Sequence, residues 1–180
     1  MDSEKPTAAP IIAFKGSCAC ERITYDSTHL PHKVTACHCI TCRKLSGGPF
    51  QAFADVPPKS LTFYDHQEHL RYEGLPKDNF GGITFLRLSK AADRAFCASC
   101  HTPLAMRYAH EGGDFDLAIG SVDEASLADE DAKAAFKLKQ HIFVSQKVWW
   151  YDIAKDGVPC HARFPGTFEE DIKAHDSKQG

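Results

Sequence analysis

Seven of the eight cysteines in this chain stand in three tight groups. They are Cys18-Ala19-Cys20, then Cys37-His38-Cys39-Ile40-Thr41-Cys42, then Cys97-Ala98-Ser99-Cys100, with Cys160 alone near the end. A CxC pair would close a very small, strained disulfide ring. Thiols one or two residues apart are instead well placed to share a metal ion, and zinc favours four thiolates or imidazoles in a tetrahedron. The first and third groups supply two ligands each, so Cys18, Cys20, Cys97 and Cys100 make one complete all-thiolate site. That site would clamp distant parts of the chain. Zinc contributes on the order of 10 kcal/mol to folding in small modules of this kind.

The middle group has three cysteines and no fourth. Three protein ligands with an open position are the pattern of a catalytic zinc. The competing reading is that a histidine closes the tetrahedron, with His101, His141 and His161 as candidates. His38 sits between two ligands, so in an extended segment its side chain points away from them. Two other chemistries fit less well. A redox CxxC belongs at the start of a helix after a strand, and Cys39 to Cys42 comes nearest, but Cys37 and the other groups argue against it. Iron–sulfur runs use spacings that are absent here.

Composition narrows the class. The chain has 180 residues, 43% hydrophobic and 25% charged, which describes one soluble globular domain. A formal charge of −3 argues against nucleic acid as a partner. No apolar run approaches the 18 or so residues of a membrane span. The start, Met1 to Pro6, lacks the apolar core of a secretory signal, so a reducing cytoplasmic location is expected. No glycine-rich pattern supports nucleotide binding.

Short segments rich in β-branched and aromatic residues recur between turn signals. Ile23 to Tyr25, Lys33 to Cys37, Phe50 to Val56, Leu61 to Tyr64, Ile83 to Leu88, Leu104 to Tyr108, Phe115 to Ile119 and His141 to Val144 read as strands. Gly47-Gly48-Pro49, Val56-Pro57-Pro58 and Gly81-Gly82 read as turns. Thr41 to Leu45 reads as a short helical turn, and Asp123 to Ala135 as a helix or a polar loop. The fold class expected is mainly β, a single zinc-containing domain of short antiparallel strands over residues 11–165. Residues 1–10 and 166–180 read as tails.

The cysteine groups, together with Gly16-Ser17 before the first, Ile23-Thr24-Tyr25, Arg43-Lys44, Phe50, Arg94-Ala95-Phe96 before the third, His141-Ile142-Phe143-Val144 and Trp149, resemble the glutathione-dependent formaldehyde-activating enzyme family. That family includes centromere protein V-like proteins. The resemblance runs from about Phe14 to Asp152. It implies a mostly β zinc fold shared with small exchange-factor chaperones. It also implies two zinc ions per chain, one structural on the outer four cysteines and one catalytic-type on Cys37, Cys39 and Cys42. Two positions depart from the family pattern: Glu21 and His101 stand where the family usually has glycine, the residue that tolerates positive φ.

The activity that the resemblance implies is a carbon–sulfur lyase, with glutathione and formaldehyde giving S-hydroxymethylglutathione. A three-thiolate zinc suits this, because it is a poor activator of water and a good holder of a fourth, external thiolate. Arg43 and Lys44 follow the third ligand and are candidate anchors for a substrate carboxylate, against a reading as solvated surface. Phe50, Phe53, Phe80 and Phe85 could wall a pocket or be plain core. His141 is expected to be packed and hydrogen-bonded, with acid–base work as its alternative. Trp149 and Trp150 are expected to pack as core or edge residues. Cys160 beside His161 reads as a free thiol. The competing function is a non-catalytic zinc module that binds a partner, or a zinc store or sensor.

Overall fold

A computed structural model describes residues 10–88, 92–109, 115–153 and 156–178. The described residues form two sheets and three α-helices. The smaller sheet is antiparallel and holds β1 (Phe14–Ser17), β2 (Ile23–Ser27), β5 (Leu61–Asp65) and β6 (Leu70–Glu73) in the order β1-β2-β5-β6. The larger sheet holds β3 (Lys33–Cys37), β4 (Gln51–Asp55), β7 (Ile83–Arg87), β8 (Ala92–Cys97), β9 (Pro103–Tyr108), β10 (Asp116–Ala118) and β11 (Gln140–Ile142). Its order is β11-β3-β4-β10-β9-β8-β7. Among the described strands, only the edge strand β11 runs parallel to its neighbour, β3, with His141 opposite Ala36. The mainly β expectation holds.

Period-two alternation places the core. Phe14, Ile23, Tyr25, Leu61 and Phe63 from the smaller sheet meet Val34, Ala54, Ala95, Ala105 and Leu117 from the larger one, all buried. Each large apolar side chain withdrawn there contributes about 1.5–3 kcal/mol. The alternate residues of the same strands, Cys37, Phe53, Ala92, Met106 and Ala118, face a second cluster on the other side of the larger sheet. A one-residue slip would exchange the two faces, so each strand's register is strongly specified.

Three strands escaped the sequence reading. β1 contains Lys15 and Gly16, β6 alternates with polar residues, and β8 carries Asp93 and Arg94 among small side chains. Each lacks the β-branched run that marks a strand. α1 (Ile40–Ser46) agrees with the expected helical turn and ends on Gly47 at φ 70°. α2 (Glu130–Ala135) occupies part of Asp123 to Ala135, capped by the Asp129 carboxylate accepting from the Ala132 N–H. α3 (Phe168–Lys178) lies within 166–180, where the sequence suggested a tail. Phe164, Phe168 and Ile172 pack onto the second cluster. Residues 1–9, most of the expected N-terminal tail, lie outside the described residues. No described helix is long and apolar enough to cross a membrane.

A buried ion pair sits beside the contact between the sheets. Asp65 on β5 accepts from Arg22 and from the N–H groups of Gln67, Glu68 and Gly82, and Arg22 also donates to Ser99 Oγ. These bonds satisfy a carboxylate that is 1% exposed. Gly82 is required at this point, because a Cβ there would meet Arg22 Nε at 2.5 Å and Asp65 Oδ2 at 2.8 Å.

Candidate metal centres and the cavity beside them

The two halves of the first centre come from different sheets. Cys18 and Cys20 follow β1 of the smaller sheet, while Cys97 ends β8 of the larger one and Cys100 closes the turn after it. The four sulfurs lie within 4.8 Å of one another. Cys20 Sγ is 3.6 Å from Cys18 Sγ and 3.8 Å from Cys97 Sγ. A tetrahedron with zinc–sulfur bonds of 2.3 Å has edges of about 3.8 Å, so the spacing fits such an ion. Local hydrogen bonds hold the turns: the Glu21 N–H donates to the Cys18 carbonyl, the His101 N–H to the Cys97 carbonyl, and the Ala19 N–H to Thr102 Oγ1. Burial pushes the Cys18 thiol up to about 12 without a metal, a cost that an electron-accepting ion removes.

Glu21 and His101 both adopt φ 59°. The turns keep the left-handed geometry that glycine favours, and two ordinary side chains bear it at about 1 kcal/mol or more each. Glu21 and His101 thus hold the positive φ for which glycine is the usual residue.

The second centre is local. Cys37 ends β3, Cys39 caps α1 and Cys42 lies in its first turn, where its N–H donates to Cys39 Sγ at 3.4 Å. The three sulfurs lie within 4.8 Å of one another, and among the described residues no histidine or carboxylate joins them. Hydrogen bonds from Cys37 and Cys42 hold the Cys39 thiol far below its usual range, with the Arg94 charge contributing. Its hydrogen bond to Cys39, added to burial, pushes Cys37 up. A soft donor set of three thiols, already favouring a thiolate, fits a thiophilic cation such as zinc.

His38 is fully buried and turned away from the cage, as the extended segment predicts. Its Nε2 lies 2.9 Å from His141 Nδ1, and His141 Nε2 lies 2.6 Å from Asp156 Oδ2. In the tautomers that satisfy both contacts, His38 Nε2–H donates to His141 Nδ1 and His141 Nε2–H donates to the Asp156 carboxylate. Burial, reinforced by the neighbouring His141, pulls His38 down to about 4. His141 is thus the packed, bonded histidine expected of it. The chain of bonds fixes the residue between two cage thiols and so orients both. Gln146 Oε1 adds a further brace by accepting from the Ile40 N–H at the start of α1.

A cavity of about 290 Å³ opens on the same face of the larger sheet. Cys37 lines it together with Phe53, Tyr108, Asp116 and Phe168, and exposed Lys33 and Asp55 border it. Desolvation pushes the Asp116 carboxyl up to about 7, and Asp55 adds to this while Lys33 opposes it.

The other candidates are dispersed. Lys44 is exposed, whereas Arg43 is half-buried with its Nε unpaired. Phe50 packs on His38 and Tyr151, Phe85 lines a separate cavity together with Arg87, and Phe80 is exposed against Tyr72. Cys160 is an exposed free thiol. The expectation for the tryptophans is corrected: Trp149 is 90% and Trp150 56% exposed, because the turn carrying them projects their rings away from both apolar clusters. Asp116, Asp156 and Gln146 were not found from sequence, since each reaches the site only through long-range pairing. In the sequence, Arg94 stands out only as part of the Arg94-Ala95-Phe96 segment before the third cysteine group.

An uncharacterized lyase of Schizosaccharomyces pombe is 28% identical over 95 residues, 53% of this chain. The match spans 58% of that relative's length. A crystal structure of a Rhodobacter sphaeroides protein aligns with a TM-score of 0.42 at 16% identity, over 64% of this chain and 95% of that one. The sequence profile of the glutathione-dependent formaldehyde-activating enzymes matches residues 13–146, so this chain belongs to that family.

Proposed function

We propose that the chain is a zinc-dependent carbon–sulfur lyase-type enzyme acting on a small thiol and an aldehyde, glutathione and formaldehyde being the pair suggested by the family. The observation that carries this is the three-thiol cage beside a cavity, with no fourth side-chain ligand among the described residues. Cys18, Cys20, Cys97 and Cys100 would hold a structural zinc, and Cys37, Cys39 and Cys42 a second. When bound there, the second ion supplies an acceptor that favours the thiolate form of an incoming thiol.

The remaining roles fall to the chain itself. Tyr108 and Phe168 narrow the cavity and exclude water. Asp116, its carboxyl raised towards neutrality, can hold a proton and release it to the aldehyde oxygen as the carbon–sulfur bond forms. The thiol's proton balances the one given up, so no oxidant or reductant is required. Arg43 and Lys44 present positive charge at the end of the cage helix for substrate carboxylates.

A second reading, a zinc module that docks a partner, is favoured by the exposed Trp149 and Trp150. Metal analysis with X-ray absorption separates the two. The enzyme reading expects two zinc ions per chain, with the second gaining a sulfur neighbour when glutathione is added. It also expects S-hydroxymethylglutathione to form faster than in buffer alone. A protein nitrogen already bound at the second zinc, with no rate enhancement, would overturn it.

A further inference from the structure

Arg94 is 8% exposed, and both its Nε and Nη1 are buried with no hydrogen-bond partner. Buried donors left without a partner keep the cost of losing water and gain nothing in return. Among the described residues, Arg94 has no ion pair, although Arg22, Arg87 and Arg107 are all engaged by carboxylates.

Its place is set by register. Across the larger sheet, Lys33 on β3 stands opposite Asp55 on β4, Asp55 opposite Asp116 on β10, Asp116 opposite Met106 on β9, and Met106 opposite Arg94 on β8. Met106 packs in one cluster with Cys37 and Cys42. Arg94 therefore rises from the face that carries the cage and the cavity. Its charge reaches the thiols of Cys39 and Cys42.

A cation placed only to offset the thiolates would be expected to donate to a sulfur, and Arg94 makes no such bond among the described contacts. A planar fork with unused donors, held in a low-dielectric site, is instead the form that grips a carboxylate.

We propose that Arg94 is the anion anchor of this site, taking a carboxylate carried on the same small molecule whose sulfur enters the three-cysteine cage. This rests on the thiol-binding reading above and deepens it. The preferred ligand is a mercapto acid whose carboxylate lies a few bonds from sulfur, and a neutral thiol of equal length should bind more weakly. Arg94 is then the residue that sets this preference, with Arg43 and Lys44 at the outer side.

The test is calorimetric titration of the zinc-loaded full chain with 3-mercaptopropionate and with 3-mercapto-1-propanol. The wild type is expected to favour the acid by at least tenfold. In Arg94→Gln the preference should fall below twofold while the affinity for the alcohol is unchanged. Arg94→Lys, which keeps the charge and loses the fork, should retain the alcohol and lose at least threefold for the acid. If Arg94→Gln does not fold, the Lys variant and the wild-type ratio decide alone. Equal binding of both probes by the wild type would overturn the anchor and leave the thiol site standing. An undiminished preference for the acid in either variant, or an equal loss for both probes, would also overturn it. Binding of neither probe by the doubly loaded wild type would overturn the thiol site itself, and the anchor with it.

Discussion

The two cysteine centres use the same chemistry for opposite mechanical ends. The four-thiol centre joins segments about 80 positions apart and ties one sheet to the other, whereas the three-thiol centre lies wholly within Cys37 to Cys42. The first acts across the core, where long-range contacts close late and at entropic cost. The second is shaped by one strand end, one helix start and a histidine held from behind. Ligand number and chain separation together distinguish the two groups, and on that difference rest the structural and catalytic roles proposed for them.

This contrast can be broken most forcefully at the clamp. Cys97→Ser should cost about 5 kcal/mol or more, seen as a collapse of the thermal transition together with loss of metal. A transition near that of the wild type would mean that the sheets do not depend on the clamp. The next effect is electrostatic. The Asp116 carboxyl is raised in the folded state, so folding favours its protonated form, and stability should fall as pH rises from about 4 to about 7. Asp116→Asn should flatten that slope by on the order of 3 kcal/mol, less whatever its exposed part recovers from water, in urea melts across the range. Cys42→Ser should cost only about 1–2 kcal/mol, leave one metal per chain and abolish thiol binding. Equal collapse of this variant and Cys97→Ser would erase the distinction. The smallest effect is a gain: Glu21→Gly and His101→Gly should each stabilise by about 0.5–1 kcal/mol, because glycine relieves the left-handed backbone at some cost in unfolded-state entropy.

Much of the candidate site was legible because its chemistry is written locally. Spacing alone sorts the seven cysteines into four and three, and the interposed His38 must turn from its neighbours in an extended segment. The cavity was not legible. Asp116 sits on a three-residue strand, and only its pairing with β4 and β9 brings it to the face of Cys37. Arg94 was hidden in a strand that lacks the usual residues, and a charged residue there reads as surface until neighbouring strands bury it. α3 has a polar composition, with Phe168 and Ile172 too sparse to announce a buried face. The tryptophans erred in the other direction, because apolar character by itself does not say which way a turn faces.

Chain order gives the two centres different birthdays. A ribosome delivers the last cage thiol at position 42, while the clamp waits for position 100. A nascent chain short of metal would thus have its reactive trio ready before its two sheets are fastened. Any ion captured early would be held by a peptide that still lacks most of its surroundings.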